Sequence, residues 1–90
     1  MASEGFHELP QDLTPQTRDM HRAILSLREE LEAIDWYQQR IDATTDEAVR
    51  TILTHNRDEE KEHASMVLEW IRRHDAVLDG HLNDRRYNFS

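Results

Sequence analysis

The feature that most constrains the fold of this chain is the absence of glycine and proline between Pro15 and Gly80. Glycine and proline are the residues that most often interrupt helices, so this interval favours helix wherever its apolar residues keep a helical period. One break is predicted at IDATTDEAV, where Thr44 and Glu47 have the spacing of a capping box and the Asp and Thr residues favour a turn. The interval is therefore predicted to hold two long helices.

The ends of these helices carry recognisable signals. Thr14 can cap the first helix, with Pro15 in the first helical position, where a missing N–H costs nothing. We expect the first helix to run from about Pro15 to Ile41 and the second from about Thr45 to His74. The short link between them predicts that they are antiparallel neighbours.

The predicted organisation is all-α, with a flexible N-terminal arm over residues 1–13 and one helical domain over residues 14–90. The domain is an antiparallel two-helix hairpin plus a short C-terminal helix, since Gly80 suits a stop after the second long helix. With 90 residues, 37% hydrophobic and 33% charged, and a mean hydropathy of −0.91, the chain is polar for a stable monomer. Oligomerisation would supply the missing buried area.

The composition also excludes several classes of function. A net charge of −8 argues against a nucleic-acid partner, because binding a phosphate backbone needs clustered Lys and Arg. The absence of cysteine excludes disulfides, thiolate metal sites and a cysteine nucleophile, and it fits a reducing cytoplasmic setting. No apolar run approaches the length of a membrane span, and the start MASEGFHELP does not read as a signal peptide.

Two lines of mainly apolar residues run along the first predicted helix and form one broad face. The first line consists of Met20, Ile24, Leu27, Leu31, Ile34 and Ile41. The second consists of Ala23, Leu27, Glu30, Ile34, Tyr37 and Ile41. Glu30 is the one charged residue on these lines.

The corresponding stripe of the second helix is apolar at its ends and polar at its centre. It consists of Val49, Leu53, Asn56, Glu60, His63, Val67, Trp70 and His74. Burying a carboxylate without a partner is expensive, so a chain normally avoids this arrangement. Positions i and i+3 project from one helix face, so Glu60 and His63 can aim at one cation.

This pattern indicates half of a di-iron carboxylate site. Such a site takes two Glu-x-x-His elements and two lone Glu residues from four helices, whereas this chain offers Glu60 with His63, and Glu30. We therefore expect two chains to pair about a two-fold axis that passes through or near the metal pair. Carboxylate and imidazole ligands suit iron, manganese or zinc, and two irons can each give one electron to O2, which is ferroxidase chemistry.

Two other interpretations remain open on the residues alone. Glu-x-x-His occurs by chance in Glu-rich helices, so the chain can be a non-enzymatic oligomerisation or metal-binding module in which Glu60 and His63 form a buried polar pair. A di-iron site can also reduce peroxide or activate O2 on an organic substrate. The predicted helices leave no evident pocket for an organic molecule, so we place this last.

The segments EELEAIDWYQQRIDATTDEA and HNRDEEKEHASMVLEWIRR resemble the encapsulated ferritins, which are ferritin-like cargo proteins of encapsulin nanocompartments. The similarity extends over roughly Thr14 to Leu82. It implies a helical hairpin that dimerises into a ferritin-like four-helix bundle, with a ferroxidase centre between two chains, and dimers that assemble into a ring-shaped decamer. The family's iron ligands correspond to Glu30, Glu60 and His63.

The resemblance implies further site residues. An outer cation site, suited to calcium or another divalent cation, corresponds to Glu29 and Glu32 with Trp36 beside them. Tyr37 corresponds to a hydrogen-bond partner of the centre, although it can also be simply a buried aromatic residue. From the residues alone, Glu29 and Glu32 are predicted to form part of an exposed acidic helix surface.

The family also implies a role and a location. Its members oxidise Fe(II) for mineralisation and storage inside an encapsulin shell, so the expected location is the lumen of that compartment within the cytoplasm. They carry a C-terminal localisation peptide that docks to the shell. We recognise no such peptide in the residues up to Ser90.

Overall fold

A computed structural model describes residues 5–87 and 89 of the chain. The described part contains three α-helices, α1 (Pro15–Ala43), α2 (Glu47–His74) and α3 (Ala76–Leu82), and two short 3-10 helices, Pro10–Asp12 and Arg85–Tyr87, with no strand among these residues. The predicted all-α hairpin with a short C-terminal helix is confirmed. No helix within the described residues is long and apolar enough to cross a membrane.

The first cap is formed as predicted. The Thr14 hydroxyl accepts a hydrogen bond of 3.0 Å from the backbone N–H of Thr17, and Pro15 occupies the start of the helix. This satisfies one of the N–H groups that a helix start leaves without an intrahelical partner.

The start of α2 differs from the prediction of a capping box at Thr44. Asp46 is the N-cap, and its carboxylate accepts 3.1 Å from the N–H of Val49. Thr44 instead ends α1, and its hydroxyl accepts 3.2 Å from the N–H of Asp46. A carboxylate at a helix N-terminus interacts favourably with the helix dipole as well as with the free N–H groups, which explains why Asp46 takes the position.

Part of the predicted N-terminal arm lies against the first turns of α1. The Phe6 ring is 4.3 Å from the His21 ring, centroid to centroid. Arg18 donates to the carbonyl of Pro10 over 3.4 Å. Gly5 has a φ of +74°, which a glycine adopts without steric cost, and this places the backbone close to His21.

The hairpin buries few side chains in the single chain. Among the described residues only Ile41, Ala64 and Ile71 are buried. Large apolar side chains on both long helices stay in contact with solvent, including Leu31 at 53% exposed and Met66 at 66%. The apolar stripes that the sequence places on α1 and α2 are therefore only partly covered by one another.

The hairpin has two sides, one on each flank of the contact between α1 and α2. A groove on the side that we call the apolar side is lined by Leu27, Leu31, Ile34, Lys61, Ala64, Ser65 and Leu68. A groove on the side that we call the site side is lined by Arg22, Ala23, Ser26, Met66, Val67 and Trp70.

Ion pairs hold α3 against the end of α2. Arg72 donates to both carboxylate oxygens of Glu69 over 3.0 Å and to Asp79 of α3 over 2.8 Å, and Arg73 donates to Glu69 over 2.7 Å. The hydrogen bond from Arg72, with that from Arg73, lowers the pKa of Glu69 to about 2. The pKa of Arg72 is raised by Glu69 and Asp79. The side chain of Asp75 caps α3 by accepting 2.9 Å from the N–H of Leu78.

Candidate metal centre

The two residues of the Glu-x-x-His element lie side by side at the middle of α2. The Glu60 side chain is 26% exposed and the His63 side chain is 51% exposed. Glu60 Oε1 and His63 Nδ1 are 3.8 Å apart, which is beyond hydrogen-bond distance. The carboxylate and the imidazole are therefore neighbours on one face without engaging each other in a hydrogen bond.

Glu30 contributes an oxygen atom that the single chain buries and leaves without a partner. Within residues 5–87 and 89, Glu30 Oε2 is the buried side-chain polar atom that lacks a hydrogen bond. An unsatisfied buried polar atom costs about 1–3 kcal/mol, more when it belongs to a charged group. Such a cost is expected where a ligand supplies the missing partner.

The alignment of the two helices brings Glu30 close to the level of His63. Gln38 accepts a hydrogen bond from Arg57 across the hairpin, and Leu31 lines the same groove as Ala64. Because α1 and α2 are antiparallel, one residue before Leu31 on α1 corresponds to one residue after Ala64 on α2. Glu30 therefore lies at the same height along the hairpin axis as Ser65. At 1.5 Å per residue, this is about 3 Å from the level of His63 and about 8 Å from that of Glu60.

The three residues also lie on the same side of the hairpin. Glu30 is four residues after Ser26, and His63 is four residues before Val67, so each shares a helix face with a residue that lines the site-side groove. Glu60 is seven residues before Val67 and lies on the same face. The site side therefore carries the Glu-x-x-His element of α2 and the lone Glu of α1.

A single chain does not assemble a complete site from these residues. Among the described residues, no group of three or more His, Cys, Asp or Glu side chains is close enough to hold a metal ion. The donors present are nevertheless chemically suitable, because two carboxylates and one imidazole are ligands of iron, manganese and zinc. The Glu30 oxygen without a hydrogen-bond partner shows where the single chain leaves a metal-ligating atom available.

The residues of the expected outer site lie on an exposed surface of α1. Glu29 is exposed, and Glu32 is half-exposed with its carboxylate 4.0 Å from Arg28. Trp36 is 51% exposed and lines a shallow groove with Gln39 and Arg40. In the single chain this arrangement is that of an acidic helix surface.

Tyr37 lies on the helix face that carries Glu30, two turns further along α1, which is about 10 Å along the axis. It is half-buried, and the guanidinium of Arg40 is 5.5 Å from the centre of its ring.

Gln38 and Arg57 were not identified from the sequence. Neither belongs to the apolar stripes, and each reads as an ordinary solvated residue of a helix surface. The structure places them in contact across the hairpin, with Arg57 Nη1 2.8 Å from Gln38 Oε1. No local signal could have found this pair, because the contact depends on how the two helices are aligned.

Comparisons with known proteins agree with this architecture. A family model described as EncFtn-like matches residues 5–89. The chain is 55% identical over 89 residues to the "Encapsulated ferritin-like protein" of Rhodospirillum rubrum, which is 99% of this chain and 62% of that protein. It is 56% identical over 71 residues to the "Ferritin-like protein" of Thermotoga maritima, covering 79% of this chain and 62% of that protein.

A third curated relative is the "Encapsulin nanocompartment cargo protein EncC" of Myxococcus xanthus, which is 40% identical over 81 residues, covering 88% of this chain and 61% of that protein. The chain thus spans somewhat less than two thirds of the length of these relatives. The crystal structure of protein ne0167 from Nitrosomonas europaea matches with a TM-score of 0.88 and 57% identity, over 96% of this chain and 94% of that one.

The family match extends over nearly all of the chain, and the similarity to a solved structure is high in both sequence and fold. The resemblance that the two sequence segments indicate is confirmed. The chain belongs to the EncFtn-like family.

Proposed function

We propose that this chain is a ferroxidase, which oxidises Fe(II) to Fe(III) with O2 at a di-iron centre shared between two chains. The observation that carries the proposal is the buried Glu30 oxygen without a partner, on the same side of the hairpin as Glu60 and His63. Membership of a family with encapsulated ferritin-like relatives supports an iron-related role.

The proposed ligands are Glu30, Glu60 and His63 of each of two chains. Together the two chains supply four carboxylates, whose negative charge balances the positive charge of two divalent ions. This balance lowers the cost of holding the charges inside the protein. Fe(II) is the substrate: two Fe(II) ions each give one electron to O2, which with two protons yields two Fe(III) ions and hydrogen peroxide. The protein's part is to hold the donors in a fixed geometry and to limit the access of solvent.

Sharing the centre between chains follows from the number of donors. The described part of one chain brings no three donors together, and a two-fold interface repeats each donor once. The site side also carries exposed apolar surface, at Met66 for example, that pairing would cover. We propose that this homodimer assembles further into a ring-shaped decamer.

Two accessory roles complete the proposal. Tyr37, on the face of Glu30, is proposed to donate a hydrogen bond that orients the ligands. Glu29 and Glu32, with Trp36, are proposed to bind calcium or another divalent cation weakly on the outside of the assembly, because carboxylates at i and i+3 can converge on one ion.

The proposed partner is an encapsulin shell, and the proposed location is its lumen. The Rhodospirillum rubrum relative is named as encapsulated, and the Myxococcus xanthus relative as an encapsulin nanocompartment cargo protein. We propose that this chain likewise serves as cargo and that its product feeds iron mineralisation and storage inside the shell.

The test is aerobic addition of Fe(II), with oxygen uptake and Fe(III) absorbance followed over time. The parent should consume O2 and form Fe(III), whereas Glu60→Ala and His63→Ala should lose more than about 100-fold in rate, since they remove ligands and not merely their supports. Glu62→Ala is the matched control, because Glu62 is an exposed carboxylate on the same helix. This variant should oxidise iron at the rate of the parent.

Equal rates in the parent and in Glu60→Ala would contradict the proposal and favour the non-enzymatic oligomerisation module. Faster oxidation with peroxide than with O2 would favour the peroxide-reducing alternative.

A further inference from the structure

We propose that Gln38 and Arg57 are positioning residues for the iron centre. Their hydrogen bond, which we call the cross-hairpin bridge, sets the axial alignment of α1 against α2 and thereby the distance between Glu30 and the pair Glu60 and His63. The proposal rests on the function proposed above and assigns a role to two residues outside the ligand set.

The cross-hairpin bridge lies between the loop end of the hairpin and the proposed ligands. Arg57 Nη1 donates to Gln38 Oε1 over 2.8 Å. Arg57 is three residues before Glu60, so it is about 4.5 Å from Glu60 along the helix axis. A second arginine, Arg50, donates to the backbone carbonyls of Ile41 and Thr44 at the loop end of the hairpin. Arg50 is about 15 Å from Glu60 along the axis.

Both partners of the bridge are held in one orientation. Gln38 Nε2 donates 3.0 Å to Asp42, so its carbonyl oxygen is the group that faces Arg57. Arg57 donates 3.0 Å from Nε to Asp58, and its side chain is only 20% exposed. Gln38 itself is exposed, so the bond lies at the surface. The positive charge of Arg57, whose side chain is largely covered, makes the bond stronger than one between neutral groups.

The alignment matters because the proposed ligands come from two helices. Glu60 and His63 are fixed relative to each other by α2, but Glu30 is fixed relative to them only by how α1 packs on α2. An apolar contact is by itself non-directional, whereas a hydrogen bond has a preferred length and direction and so adds a defined constraint on the axial position of α1 against α2. A catalytic constellation must be held to within about 0.5 Å of its productive geometry.

The experiment compares variants of the full chain in aerobic Fe(II) oxidation. Arg57→Met and Gln38→Met keep the side-chain length but remove the bridge. Each should lower the maximal rate by about 10-fold or more, the scale reported for groups that support metal ligands. Arg57→Lys retains a donor for Gln38 and should recover most of the rate. Arg50→Met is the matched control, which loosens the loop end and should stay within about twofold of the parent if alignment near the site is what matters.

A second measurement separates positioning from general destabilisation. Co2+ is added to each folded variant, as judged by circular dichroism, and its visible absorption spectrum reports the ligand geometry. Arg57→Met and Gln38→Met should change the shape or intensity of the spectrum, whereas Arg50→Met should reproduce the parent spectrum.

The possible results test the positioning role of the bridge and the proposed ferroxidase function separately. A parent rate and a parent Co2+ spectrum in both bridge variants would overturn the positioning role and leave the ferroxidase intact. Equal losses in Arg50→Met and in the bridge variants would also overturn it, because general loosening would then explain both. If the parent oxidised no iron, the proposed function would fail, and the Co2+ spectra would still test the bridge.

Discussion

Charged side chains collect in two regions of α2, at Glu60–His63 in the middle of the hairpin and at Glu69–Arg73 where α3 docks. At the α3 junction the charges are paired, with Glu69, Arg72 and Asp79 in hydrogen bonds of 2.8 to 3.0 Å. In the middle of the hairpin, Glu60 and His63 are 3.8 Å apart, and Glu30 keeps a buried oxygen without a partner.

The difference separates two uses of charge that look alike in the sequence. Both regions contain Glu and a basic residue three positions later on α2, Glu60 with His63 and Glu69 with Arg72. Where the partners satisfy each other, the arrangement stabilises the fold locally. Beside Glu60 and His63, which do not form a hydrogen bond with each other, the Glu30 oxygen is buried without a partner, at a cost that a bound cation would relieve.

The largest expected effect comes from exchanging one carboxylate for an amide in each region. Glu30→Gln should lower the rate of Fe(II) oxidation by more than about 100-fold, because it removes a proposed ligand and not a supporting group. Its metal-free stability should not fall, since a neutral amide costs less to bury than a carboxylate. Glu69→Gln should show the opposite pattern, with a normal rate and a less stable fold. Oxygen uptake measures the rate of Fe(II) oxidation of the two variants, and thermal unfolding measures their stability. A parent rate in Glu30→Gln would show that the two regions do not differ in this way.

Metal binding should stabilise the parent and not the variants that lack a ligand. Anaerobic Fe(II) or Co2+ at 100 times its dissociation constant should add about 2.7 kcal/mol to the free energy of unfolding. It should also shift the size distribution towards assembled species, because the ions join two chains. Thermal unfolding and size-exclusion chromatography, with and without metal, measure this for the parent and for Glu60→Gln. A parent whose stability and size do not respond to metal would contradict the shared centre.

A smaller effect is expected when α3 loses its cap. Asp75→Ala removes the acceptor for the N–H of Leu78 and should cost about 1 kcal/mol. The loss should be local, because a helix of 7 residues is marginal by itself. Hydrogen exchange should quicken at residues 76–82 while iron oxidation stays at the parent rate. A large drop in that rate would show that the junction and the centre are coupled.

The smallest effect is the pH dependence contributed by Glu69. Arg72 and Arg73 lower its pKa from 4.5 to about 2, so the folded state favours the ionised carboxylate. Its contribution to stability is therefore fully present above pH 4.5 and is lost as the pH falls towards 2. Glu69→Gln should flatten this part of the stability curve. Unfolding midpoints between these pH values measure the change, and curves of identical slope would contradict the pairing.

Some structural features could be predicted from local sequence and others could not. The Thr14 cap was predictable because its partner, Thr17, is three residues away. The start of α2 was placed too early, because Asp46 competes with Thr44 for the same role and the charged side chain takes it. The assignments of Glu30, Glu60 and His63 remain predictions, although the positions of all three along the helices follow from the pattern alone.

The sequence by itself determined the two long helices, their antiparallel order and the polar centre of α2, since helical period and capping depend on residues within one or two turns of each other. The tertiary structure alone decided the burial of the Glu30 oxygen that lacks a partner, the docking of α3 through Arg72 and Asp79, and the alignment that brings Gln38 to Arg57. These features depend on the relative placement of separate helices, and the spacing along one helix does not specify it.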